Sequence, residues 1–199
     1  DLVERYLVAI HGLGIHPVIV VNKPELLDHA AIEDGPLAHL DDYRELGYAV
    51  VATSCKGPPG IDELRPVLDH RTSILVGQSG VGKSSLINTL MPDHDLQTGA
   101  LSRVTGKGTH TTTTTILYHL PSGGELIDSP GVWEYGLWDM DQPELAGGFV
   151  EFSPCMGQCR FNDCHHAGEP GCAVRAAVEA GTVRDWRYRS YRRLLEQGQ

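Results

Sequence analysis

Residues 73–91 read SILVGQSGVGKSSLINTLM. The apolar run ILV gives way to GQSGVGKS at 77–84, a match to GxxxxGK[ST], and then to the helix-like SSLINTLM. A strand, a Gly-rich loop and a helix in that order make a phosphate-binding loop. Gly77, Gly80 and Gly82 let the backbone wrap so that its N–H groups point inward at a β-phosphate, and the helix that follows adds its positive end. Lys83 reaches the β- and γ-phosphates and Ser84 offers a hydroxyl to Mg²⁺, while Gln78, Ser79, Val81 and Ser85 complete the loop.

Working outward, the segments alternate. Upstream, Leu2 to Gly12 is helix-like, Pro17 to Val21 is a short β-branched run, Tyr43 to Leu46 closes a second helical stretch, and Tyr48 to Ala52 is another strand. Ile61 to Leu68 reads as a helix leading to the strand at Ser73 to Val76. Short buried strands separated by helices are parallel and joined by crossovers, so the body is an α/β sheet. Downstream, residues 92–110 are polar and weakly periodic, a length that marks a functional or a disordered loop. Thr111 to Leu120 (TTTTTILYHL) is rich in strand formers, PSGG is a turn, and Glu125 to Ile127 is a further strand.

That last strand runs into DSPG, 44 positions after Ser84. After a phosphate loop, DxxG is a sensor of nucleotide state: Asp128 acts through the metal's water shell and the Gly131 N–H faces the γ-phosphate. Two further strand ends carry polar motifs. VIVV ends in Asn22, Lys23, Pro24 and Glu25, and VVAT ends in Ser54, Cys55 and Lys56. These resemble the NKxD and SAK motifs of the translation-factor and Ras-like GTPases. The resemblance implies that the carboxylate takes hydrogen bonds from guanine N1–H and N2–H₂ and that the SCK backbone meets O6. Adenine has no matching donors and would leave a buried carboxylate unpaired. Glu25 stands where that class has Asp, and one extra methylene displaces the carboxylate by about a bond length, against tolerances of tenths of an ångström.

The order is circularly permuted. Ordinary GTPases place the phosphate loop first, whereas here NKPE (22) and SCK (54) precede GQSGVGKS (77), the Thr run (111–115) and DSPG (128). A site made from strand ends of one sheet survives such a change of termini.

The 199 residues carry a formal charge of −10, with 41% apolar and 21% charged side chains, ordinary globular values that exclude a disordered or collagen-like chain. No stretch approaches the roughly 18 apolar residues of a membrane span, and the start lacks the pattern of a secretory leader, so no membrane partner and a cytoplasmic location are expected. The charge is uneven: nine basic against twenty acidic side chains over residues 1–150, and seven Arg against six acids over 151–199. The tail also holds Cys155, Cys159, Cys164 and Cys172 beside His165 and His166, which places a composition boundary near residue 150. Choosing Cys159, Cys164, His166 and Cys172 gives C-x4-C-x-H-x5-C, a set suited to a closed, structural tetrahedral Zn²⁺, one per chain. In a reducing compartment a His among the cysteines favours metal over disulfides. Spacing alone does not reject Cys155 or His165.

Taken together, GQSGVGKSS, HTTT, DSPGV and PGCAVRAAVE, within a span from Glu4 (ERYLVA) to Leu195, resemble the ribosome small-subunit-dependent GTPase A family (RsgA, also called YjeQ). The resemblance implies a GTPase that assists maturation of the 30S subunit, stimulated by that subunit and bound to its ribosomal RNA. It selects the same four zinc ligands and leaves Cys155, Cys55 and His165 out. In this family an oligonucleotide-binding barrel and one more strand precede the helix corresponding to Leu2 to Gly12, and that strand belongs beside the phosphate-loop strand. A chain beginning at Asp1 is therefore expected to have an open central sheet edge, and a complete sheet from these residues alone would contradict that.

Ras-like enzymes orient the attacking water with a Gln after DxxG, where this chain has Val132. The resemblance points instead to His110. One of Thr111, Thr112 and Thr113 is expected to bind Mg²⁺ when the γ-phosphate is present, ordering the preceding loop as a switch. Trp133, Tyr135 and Trp138 belong either to a second switch or to core packing. Cys172 to Ala180 and Val183 to Glu196 read as helices. The second carries Arg184, Arg187, Arg189, Arg192 and Arg193, a basic face that suits RNA phosphates or is a solvated helix surface, and the resemblance favours the former.

The expectation is a monomeric protein with a permuted GTPase domain over 1–149 and a helical zinc domain over 150–199, binding GTP or GDP with Mg²⁺. The competing reading is a P-loop ATPase or other nucleotide-binding protein with a structural zinc module for RNA. Glu25 keeps that reading open.

Overall fold

The computed structural model describes residues 2–26, 36–92, 115–128 and 140–198. The chain forms two compact units, one of Asp1–Pro17 with Tyr135–Gln199 and the other of Val18–Glu134. None of the helices among the described residues is long and apolar enough to cross a membrane.

Helix α1 (Leu2–Gly12) belongs to the first unit. In the second unit, β1 (Val18–Asn22) pairs in parallel with β2 (Ala49–Thr53), so that Asn22 lies opposite Thr53. Between them, 3₁₀ turns at Pro24–Leu26 and Pro36–His39 lead to α2 (Leu40–Glu45). Tyr43 of α2 is buried edge-on against Tyr48. Helix α3 covers only Arg65–Leu68, shorter than the expected Ile61–Leu68. Pro66 explains the difference: lacking an N–H, it is tolerated in the first turn of a helix and not in its interior.

Strand β3 (Thr72–Leu75) leads into the Gly-rich loop and then α4 (Lys83–Leu90). Strands β4 (Ile116–His119) and β5 (Glu125–Asp128) form a hairpin, and β5 pairs in parallel with β3. The order is β3-β5-β4, separate from β1-β2, so among the described residues β3 has a ladder on one side only. The two sheets nevertheless share one core. Val51 of β2, Leu64 and Leu68 of α3, Leu86, Ile87 and Leu90 of α4, and Leu126 of β5 pack in a single buried cluster.

The first unit continues with α5 (Gln142–Gly147), a 3₁₀ helix at Val150–Cys155, α6 (Ala173–Glu179) and α7 (Asp185–Gln197). Sequence periodicity missed α5, but its signal is present. Asp141 accepts from the Glu144 N–H and the Glu144 carboxylate accepts from the Asp141 N–H, a capping box spelled D-x-x-E. The core is aromatic: Phe149 stacks on Phe152 at 5.2 Å between ring centres, and Tyr191 meets both edge-on at 5.4 and 5.2 Å.

The units do not divide at the composition boundary of 149/150. Val8 of α1 shares the aromatic core, and Gly148 admits it, since a Cβ there would overlap Val8. Arg187, expected on a basic face, is instead wholly buried between two carboxylates, contacting Glu151 at 2.6 and 3.1 Å and also Glu4. Its guanidinium lies 4.5 Å over Phe149. Burial works against both charges, lowering the pKa of the guanidinium and raising that of the Glu151 carboxyl. Arg184, Arg189, Arg192 and Arg193 remain exposed, with Arg189 paired to Asp185 and Arg192 to Glu196.

Candidate nucleotide site and metal centre

The phosphate loop occupies the turn between β3 and α4. Gly82 caps α4 with φ +100°, and a Cβ there would overlap the Asn22 amide, so both the conformation and the close approach require glycine. The Lys83 ammonium donates to the Gly77 and Gln78 carbonyls at 2.6 and 3.0 Å, which holds it inside the ring of the loop. Ser79 and Ser84 are exposed and Ser85 is half-buried. Asp128 ends β5, in register with Leu75 of β3, so its carboxylate is carried at the same sheet end as the loop.

The two base motifs reach this loop from another sheet. Asn22 Nδ2 donates to the Val81 carbonyl and Lys23 Nζ to the Gly80 carbonyl, each at 2.8 Å. Lys23 has the left-handed φ of +61°, and its N–H donates to the Thr53 carbonyl. Glu25 is exposed in the 3₁₀ turn that follows. Ser54 is buried, its hydroxyl accepting from the Lys56 N–H at 3.1 Å, which folds the SCK turn; Cys55 is half-buried. Thr53 was not anticipated from the sequence. It is fully buried and donates its hydroxyl to Asn22 Oδ1 at 3.2 Å, orienting the amide whose other end grips the loop. Its only trace in the sequence is a polar residue closing an apolar strand.

His110, Thr111, Thr112, Thr113, Gly131, Val132, Trp133, Tyr135 and Trp138 lie outside the described residues.

In the first unit, the ligating atoms of Cys159, Cys164, His166 and Cys172 all lie within 4.8 Å of one another. His166 Nδ1 is 3.5, 3.7 and 3.5 Å from the sulfurs of Cys159, Cys164 and Cys172. Tetrahedral bonds of about 2.3 Å to sulfur and about 2.05 Å to nitrogen require a separation of about 3.6 Å, so the residues fit a metal of zinc's size. His166 takes φ +56° to turn its ring inward, and burial lowers its pKa, favouring the neutral, ligating imidazole. Burial and its neighbours push the Cys164 thiol up to about 12, so its thiolate is favoured only opposite a cation. The Ala173 and Arg175 N–H groups donate to the sulfurs of Cys159 and Cys172 at 3.3 and 3.5 Å, further stabilising negative sulfur.

Cys155 and His165 stand outside the cluster. Cys155 packs on the aromatic core, and the His165 carbonyl accepts from the Tyr191 hydroxyl at 2.6 Å. Glu169 is a supporting residue that the spacing did not reveal. Its carboxylate accepts from the N–H groups of His165, Ala167 and Gly168 at 2.9, 2.8 and 3.1 Å, bracing the backbone around His166. Burial alone would raise its pKa, but the backbone N–H bonds outweigh that and hold it at about 2.

A phosphate loop gripped by NK from a strand that precedes it in sequence defines a circularly permuted P-loop protein, and its Cys₃His cluster could hold a metal ion. The family model described as RsgA GTPase matches residues 1–138, and the chain belongs to that family. It is 53% identical to the small ribosomal subunit biogenesis GTPase RsgA of Chromohalobacter salexigens, over 98% of this chain and 57% of that one. It is 50% identical to the protein of the same name from Hahella chejuensis, over 98% and 56%. The chain therefore spans a little over half the length of these relatives. Among solved structures it resembles YjeQ from Thermotoga maritima (TM-score 0.78, 34% identity, 98% of this chain and 64% of that one). It also resembles YloQ, described as a circularly permuted GTPase (TM-score 0.74, 33% identity, 98% and 61%).

Proposed function

We propose that this chain is the nucleotide and metal-binding part of a cytoplasmic, monomeric GTPase that acts late in maturation of the small ribosomal subunit and binds its RNA. The observation that carries the reading is the grip of Asn22 and Lys23 on the Val81 and Gly80 carbonyls, which brings a guanine-type motif against a phosphate loop. The names of the relatives supply the ribosomal context.

In this reading the N–H groups of Gly80, Val81 and Gly82 and the Lys83 ammonium cradle the phosphates. Glu25 accepts from the base edge, and the SCK turn, with Cys55 and Lys56, closes over its other side. Ser84 and one of Thr111, Thr112 and Thr113 would hold Mg²⁺, with Asp128 reaching it through water, and the ion would supply charge neutralisation at the phosphates. Gly131 senses the γ-phosphate, and His110 orients the attacking water. Cys159, Cys164, His166 and Cys172 hold one structural Zn²⁺, whose closed set of ligands leaves no position for chemistry.

Competition binding of GTP, GDP and ATP to the full natural protein tests the assignment. GTP and GDP are expected to displace a labelled GDP at concentrations at least a hundredfold below ATP. Equal displacement by ATP would favour the ATPase reading.

A further inference from the structure

Among the described residues Phe161 is the only exposed aromatic side chain, at 43% exposure; Tyr6 and Trp186 are half-buried and the rest are buried. Its position is not incidental to the metal cluster. The loop Arg160–Asp163 joins two of the four ligands, Cys159 and Cys164. The Arg160 N–H donates to the Gly171 carbonyl at 3.0 Å, and the Cys164 N–H to the Phe161 carbonyl at 3.3 Å, so the loop is tied at both ends. The Arg160 guanidinium lies over the Phe161 ring at 5.4 Å from its centre.

A ring at 43% exposure forfeits part of its burial, and its contact with Arg160 leaves aromatic surface open to a partner. A ring already fixed by its loop loses little entropy on stacking. An aromatic face with a guanidinium beside it matches an unpaired nucleobase and its phosphate: the ring offers a stacking surface indifferent to base identity, and the cation offers charge complementarity. Bases inside a duplex are covered by their neighbours and offer no free face. A protein partner could answer the guanidinium with a carboxylate, and association with 30S subunits that does not need single-stranded RNA binding would mark that case.

We propose that Phe161, with Arg160 beside it, is a stacking platform for an unpaired base of an RNA strand. The identity of that strand as ribosomal rests on the function proposed above, whereas the stacking chemistry does not.

The test uses the full natural protein and two variants, Phe161→Ala and Phe161→Trp, with a ten-nucleotide single-stranded oligoadenylate, an RNA duplex of equal length and purified 30S subunits. Phe161→Ala is expected to bind the oligoadenylate about tenfold more weakly, with duplex binding and metal content unchanged. The oligoadenylate should quench Phe161→Trp emission beyond any change in the unaltered protein. Undiminished oligoadenylate binding by Phe161→Ala, or no added quenching of Phe161→Trp, overturns the proposal. Loss of 30S association by Phe161→Ala with oligoadenylate binding intact also overturns it, by assigning the ring to a protein contact. If the unaltered protein fails to bind GTP and 30S subunits, the functional reading falls, and the platform is still judged by the oligoadenylate results.

Discussion

The two units build their sites in opposite ways. The metal centre draws four ligands from fourteen consecutive positions, 159–172, with Glu169 bracing the same stretch of backbone. The nucleotide site collects Asn22, Thr53, the 77–84 loop and Asp128 from strand ends far apart in the chain, and depends on parallel pairing to align them. A local site is as stable as its metal. A dispersed one is as precise as its sheet register, and its contacts are single hydrogen bonds. Perturbations should therefore act all-or-none in the first unit and by degrees in the second.

The largest effect is expected from metal removal. Chelation, or Cys172→Ser, should unfold the first unit, because structural zinc supplies on the order of 10 kcal/mol to small metal domains. Loss of near-ultraviolet dichroism from the Phe149, Phe152 and Tyr191 cluster would report it. A retained aromatic signal would show that the hydrophobic core holds the unit alone. Next, Arg187→Ala leaves Glu4 and Glu151 buried without their cation and should destabilise the same unit by about 3–5 kcal/mol in denaturant unfolding.

In the nucleotide unit, Lys83→Ala should weaken GDP binding by about a hundredfold, the loss of a charge-assisted contact to phosphate, with little change in thermal stability. Thr53→Val keeps shape and removes the hydroxyl that orients Asn22. A loss of about 1 kcal/mol, near fivefold in GDP affinity by calorimetry, is expected. The smallest effect concerns acid. Because the Glu169 pKa is held at about 2, below its unfolded value of about 4.5, its contribution is fully present above pH 4.5 and is lost as pH falls toward 2. Glu169→Gln should flatten that part of an acid titration followed by unfolding.

What was legible in the sequence follows the same division. The phosphate loop and the Cys₃His set are each spacings within one short segment, and the structure brings the atoms of each set together. The clasp that unites the nucleotide site was not legible: Asn22 and Val81 are 59 positions apart, and nothing local in either announces the contact. Arg187 was misplaced for the same reason, since a run of arginines on one helix reads as surface, and the carboxylate that buries it, Glu4, is 183 positions away. Helix α1 looked like part of the nucleotide domain by adjacency, yet its Val8 packs with Phe149. Two further signals are local, the D-x-x-E cap of α5 and the proline that shortens α3.

On the function proposed above, these two differently built units serve one ribosome-dependent GTP switch. Its most direct test is the GTP hydrolysis rate of the full natural protein with and without 30S subunits. A slow intrinsic rate that rises at least tenfold with the subunit and falls again in Lys83→Ala is the expected result. The same rate with and without 30S subunits, or hydrolysis that survives Lys83→Ala, would contradict it.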